Sequence, residues 1–138
     1  MTENRLLTQA GRFHGHIGPF LAIGLRMGFA ANEALGRAPM QTGARVRVEP
    51  RPPRSCVIDG IQIASGCTMG KRNIEITPDA DAVSATFSRG DRSITIALRD
   101  DFLKSMEARL DGAAMKAVVD YSYEIMDTPP DQLFEVRE

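Results

Sequence analysis

Histidine and cysteine hold soft and borderline metal ions most readily, and this chain has only two of each. His14 and His16 stand in Phe13-His14-Gly15-His16-Ile17-Gly18-Pro19. Cys56 and Cys67 stand in Ser55-Cys56-Val57-Ile58-Asp59 and Gly66-Cys67-Thr68-Met69-Gly70-Lys71. All four lie in the first half of the chain, in glycine-framed segments, which points to one assembled site. Side chains two apart point the same way on extended backbone, whereas on a helix they diverge by about 200°. Gly15 and Gly18 favour the non-helical course, so both imidazoles are expected to reach one ion. The plainer alternative is a pair of capping or hydrogen-bonding histidines in a tight turn. The expected metal set is His14, His16 and Cys56, with Cys67 as a fourth group.

Cys56 is expected in the first turn of a helix, where the dipole lowers a thiol pKa and makes a better ligand or nucleophile. Asp59, three residues on, shares its face. Eleven residues separate the two cysteines, roughly 16 Å along an unbroken helix. Either the helix starts late or breaks, or the second thiol comes from another protomer, or one cysteine alone is a ligand. The plain reading of each is a small buried hydrophobe. For a metal-bound water, Asp59 is the candidate general base, and Lys71 or an arginine would orient an anionic substrate. Gly66 to Lys71 fails as a phosphate loop: it is one residue short, Arg72 replaces the Ser/Thr, and a helix precedes it. Arg45, Arg47 and Arg51 stand at alternate positions and point to one side, an arrangement that suits bidentate carboxylates, or else a solvated strand face. Arg45 and Arg47 are the candidate cofactor-binding pair. No Ser/His/Asp constellation can form without a third histidine.

The elements that must position these groups follow from periodicity. A short helix is expected from Glu3 to Phe13, with Leu6, Leu7 and Ala10 on one face. Gly18-Pro19 opens a second helix, reaching about Leu35. It is apolar nearly all round, hence central and buried, with Gly24 and Gly28 admitting another backbone and Gly36 as its stop. Ala44 to Glu49 alternates as a strand, and Cys56 to Ser65 reads as a buried helix. Strands follow at Asn73–Thr77, Ala82–Ser88 and Ser93–Leu98, the last two joined by a turn at Gly90-Asp91-Arg92. Asp100 or Asp101 caps a helix to Leu110, and a last helix runs from Ala113 to Met126 before Pro129-Pro130. The result is an α+β domain over residues 1–138: a mixed four-stranded sheet on helices, with the C-terminal helices added.

Composition is that of an ordinary soluble protein, 43% hydrophobic and 25% charged, and disorder is not indicated. Arg26, Asn32 and Glu33 interrupt the longest apolar stretch, Pro19 to Leu35, so no membrane span is expected. Two cysteines and no secretory leader make a reducing cytoplasm the default. Residues 1–54 carry eight arginines against three glutamates, which leaves −6 for the rest of a chain of net charge −1. Eight aromatic residues without tryptophan do not make a nucleic-acid footprint, so the asymmetry fits opposed faces or a local anion site. The second and the last helix together offer more apolar face than four strands can cover, which predicts a homodimer.

Phe13 through Gly28, Cys56-Val57-Ile58-Asp59-Gly60-Ile61-Gln62, and Gly66 through Asn73 stand in the order and spacing of a known family. They resemble the formylmethanofuran dehydrogenase E-subunit family over most of the chain. The resemblance implies an α-β-α-β-β-β core like the α+β domain of glyceraldehyde-phosphate dehydrogenase, and a dimer. It also implies a metal, usually zinc, at the His/Cys cluster, and an association with the molybdenum or tungsten enzyme that fixes carbon dioxide onto methanofuran. Methanofuran-type cofactors carry several carboxylates, which gives Arg45 and Arg47 a candidate ligand. Two departures matter. Gly18 stands where many members have cysteine, and no cysteine follows Cys67, so a core without the family's C-terminal zinc domain is expected. The leading expectation is a small metal-binding accessory domain of one-carbon or molybdo/tungsto-enzyme metabolism. The alternatives are a stand-alone metalloenzyme acting on an anionic small molecule, and a metal-delivery protein.

Overall fold

The computed structural model of the protein describes residues 3–138. Helix α1, Glu3–His14, runs one residue beyond the expected end and delivers His14 on its last turn. Gly18, extended at φ −144°, is the N-cap of α2, Pro19–Leu35, and Pro19 takes the first helical position, where its missing N–H costs nothing. Gly36, at φ 77°, ends the helix as expected.

Strand β1 covers Thr42–Val48, and a single 3₁₀ turn, Arg54–Cys56, leads into α3, Val57–Ser65. Strands β2, Ile74–Pro78, β3, Val83–Arg89, and β4, Arg92–Leu98, follow within a residue or two of expectation. Helix α4, Asp100–Leu110, is capped by Arg99 backbone rather than by an aspartate side chain. Asp100 and Asp101 instead lie in its first turn, where their charge suits the helix dipole. Helix α5 covers Met115–Asp127.

The sheet has five strands, not four, in the order β2-β1-β3-β4-β5. Beyond Pro129 a four-residue helix α6, Pro130–Leu133, turns the chain into β5, Phe134–Arg137, which pairs antiparallel with β4. Two prolines read as a stop; here the second serves as the first residue of a new helix, and the segment after it is a strand. Only β1 and β2 are parallel, with α3 as their crossover.

Helix α2 is covered within the chain, by α3, α5, α1 and the sheet. Its crossing with α3 is a backbone-to-backbone contact. A methyl on Gly24 would strike the Val57 carbonyl, one on Gly28 would strike Ala64, and one on Gly60 would strike the Leu21 carbonyl. Ala44, Val46 and Val48 face the helices together with Ile74, Ala85, Phe87, Ile94 and Ile96. Arg45 and Arg47 face the other side and are exposed.

Candidate functional site

Where α1 ends, Gly15 adopts φ +109°, a conformation that L side chains rarely reach. The two histidines therefore meet across a left-handed bend rather than along an extended strand. Their ring centroids lie 4.7 Å apart, tilted by 36°. The His14 side chain is 12% exposed, while His16 lies open to solvent.

The opposing wall is the start of α3. Cys56, 8% exposed, is the N-cap of that helix, and Asp59 lies in its first turn. Asp59 Oδ2 stands 2.5 Å from His14 Nδ1. A carboxylate only accepts, so His14 Nδ1 donates in this contact and Nε2 is the ring nitrogen turned away from Asp59. Asp59 Oδ1 accepts from Gln62 Nε2 at 3.3 Å, and Gln62 Oε1 accepts from the Met69 backbone N–H at 2.8 Å. Gln62, one helical turn beyond Asp59, was not among the expected site residues; its spacing was the available signal. A cleft of about 410 Å³ runs between the walls, lined by His14, Ser55, Cys56 and Asp59, with Pro50, Pro52, Ile58 and Ile76 supplying apolar surface. Burial pushes the Cys56 thiol above its ordinary range, and the nearby Asp59 charge pushes it further in the same direction. The expected lowering by the helix dipole is overridden, because an apolar pocket and a neighbouring carboxylate both oppose a thiolate.

Four expected participants lie elsewhere. Cys67 is fully buried beyond the far end of α3, separated from Cys56 by the length of the helix, roughly 13 Å at 1.5 Å per residue. Its Sγ donates to the Thr42 carbonyl at 3.3 Å, and burial raises its pKa. The helix neither starts late nor breaks, so within one chain Cys56 and Cys67 cannot share an ion. Lys71 is also at that far end: its Nζ donates to the Gly66 carbonyl and to Thr68 Oγ1, which caps α3 and leaves the ammonium outside the cleft. Arg45 and Arg47 face away from Ile76 and hence away from the cleft. They pair with Glu75 and Asp79, which bind them to their own sheet face. The backbone N–H of Asp81, with Arg47 after it, holds Asp79 below the usual carboxylate range. Among the described residues no three His, Cys, Asp or Glu side chains already form one metal shell.

Residues 13–135 match the family described as FmdE, molybdenum formylmethanofuran dehydrogenase operon. Over 75 residues, 51% of this chain, the sequence is 41% identical to a probable S-adenosyl-L-methionine-binding protein of Archaeoglobus fulgidus. The match spans 20% of that relative's length.

Proposed function

The chain belongs to the FmdE family, and on that premise we propose that it is a small metal-binding accessory domain linked to formylmethanofuran dehydrogenase-type one-carbon metabolism. The observation that carries this reading is the His14–Asp59 contact. Metal-ligating histidines characteristically give their second ring nitrogen to a carboxylate, which fixes the tautomer and aims the free nitrogen at the ion. Two imidazoles and a thiol form a donor set that suits zinc or another divalent transition metal. His14, His16 and Cys56 would hold the ion, with Asp59 behind His14. When bound, such an ion supplies either a structural tie or Lewis-acid polarisation.

The accessory reading is favoured over a stand-alone enzyme by two engaged groups. Asp59, the candidate base, already serves His14 and Gln62, and Lys71, the candidate anion holder, is at the other end of α3. A homodimer also belongs to the proposal: α2 is covered within the chain, but Met115 at the start of α5 is 68% exposed. Phe13 is 66% exposed in the last turn of α1, next to His14 in sequence, so a second copy seated on the His14–His16 bend would bury apolar surface and close the shell. Purified without a polyhistidine tag, the protein is expected to carry about one zinc or similar ion per chain. Each of His14→Ala, His16→Ala and Cys56→Ser should lower that content, and light scattering should give a dimer. Wild-type protein that neither retains nor takes up zinc at micromolar concentration sinks the proposal.

A further inference from the structure

We infer that Gln62 is a positioning residue, which fixes the orientation of the Asp59 carboxylate and through it that of the His14 ring, and ties that geometry to the loop beyond α3. The inference deepens the proposed function and rests on it for the use of the His14 nitrogen, although the relay itself involves no metal. Its warrant is a chain of three contacts whose directions determine one another. The Met69 backbone N–H can only donate, so it takes the carbonyl oxygen of the Gln62 amide, at 2.8 Å. That choice forces the NH₂ end of the same amide toward Asp59, where Nε2 donates to Oδ1 at 3.3 Å. With Oδ1 engaged, Oδ2 takes the ring N–H of His14 at 2.5 Å. The ring is thereby held with Nδ1 on the carboxylate and Nε2 turned away from it.

A glutamate at 62 would accept from Met69 equally well but would set a second carboxylate against Asp59. An alanine would free both neighbours. Glutamine is the one of these three that can accept at one end and donate at the other. The relay also explains why the segment Gly66 to Arg72, which contributes no side chain to the cleft, should matter to it. One amide of that loop sets the flip of Gln62, and the loop is held in place by Asn73 Oδ1 on the Thr68 N–H and by Lys71 on Gly66 and Thr68.

The test compares wild type, Gln62→Ala and Gln62→Glu, all metal-free, at one pH where free imidazole is neutral. Histidine-ring ¹⁵N spectra report the hydrogen bonding of each His14 nitrogen. The Nδ1 signal of the wild type should carry the shift of a nitrogen held on a carboxylate, and both variants should depart from it. Gln62→Ala places the best helix former at a half-buried position; Gln62→Glu, which keeps the Met69 contact, carries the test should the alanine variant not fold. Zinc affinity, measured separately by competition with a chelator, should fall about tenfold in Gln62→Ala, at the low end of the effect of outer-shell partners. His14 ring signals identical to wild type in the folded variants overturn the inference, whatever the zinc result. A wild type that binds no zinc instead sinks the metal reading, while the ring-signal comparison still decides the role of Gln62.

Discussion

Cys67 and Cys56 show how the same residue type is steered by its surroundings. Both thiols are held above their ordinary pKa range by burial, and both are therefore protonated in the metal-free fold at neutral pH. Cys67 uses that proton to bond the Thr42 carbonyl. A thiol raised on folding contributes stability that is complete below the unfolded value, about 8.5, and is lost as pH rises through the folded one. Unfolding by urea at pH 7 and at successively higher pH should accordingly show falling stability above about pH 8.5, with a shallower fall in Cys67→Ala. An unchanged slope in that variant would mean that the Cys67 proton is not linked to folding. The sequence singled out His14, Cys56 and Asp59, which the fold brings to one cleft, with His16 against His14, because so few groups with this chemistry exist in the chain. It did not disclose their roles. Asp59 lies one turn from Cys56 in either account, but only the fold reveals that His14, 45 residues away in sequence, occupies its second oxygen.

The helices that carry these groups are positioned by missing side chains. Helix α2 was legible in detail: Gly18-Pro19 marks its start, Gly36 its end, and its apolar circumference places it at the centre. The spacing of Gly24 and Gly28 indicated a close neighbour, though not which one; Gly60 on α3 supplies the reciprocal gap. The consequence is measurable. Gly24→Ala gains up to about 1 kcal/mol of helix propensity but drives a methyl into the Val57 backbone carbonyl, and overpacking of that kind costs about 1–3 kcal/mol. Because backbone cannot rotate away, a net loss of about 2 kcal/mol by urea denaturation is expected, together with weaker zinc binding as α3 shifts from α1. Gly70→Ala is the control. Nothing lies within 4 Å of the added methyl, so its stability should stay within about 1 kcal/mol of wild type. Strand β5 was not legible because four residues after a double proline are too few for periodicity to stand out. Its pairing with β4 is a tertiary fact.

Across the whole molecule, the charge asymmetry of the sequence resolves into contacts between its two halves. Arg45 meets Glu75, Arg47 meets Asp79 and Arg54 meets Glu107, so the arginine excess before residue 55 is matched by acids from the remainder. Exposed pairs of this kind contribute about 0–1 kcal/mol each, and Arg45→Gln with Arg47→Gln should leave both stability and metal content near wild type. The C-terminal segment, by contrast, buries apolar side chains where it adds the fifth strand to the sheet. Leu133 is fully buried, Phe134 is 4% exposed, and the Arg99 N–H donates to the Leu133 carbonyl at 2.8 Å. Val136, two residues further along the same strand face as Phe134, is 50% exposed. The same truncation should therefore have unequal effects along one short segment. Leu133→Ala opens a cavity in the core and should cost about 2–5 kcal/mol, whereas Val136→Ala should cost less than about 1 kcal/mol. Urea midpoints for the two variants, read at equal slope, separate the outcomes. Equal losses would mean that β5 is a frayed edge rather than the strand that seals the fifth position of the sheet.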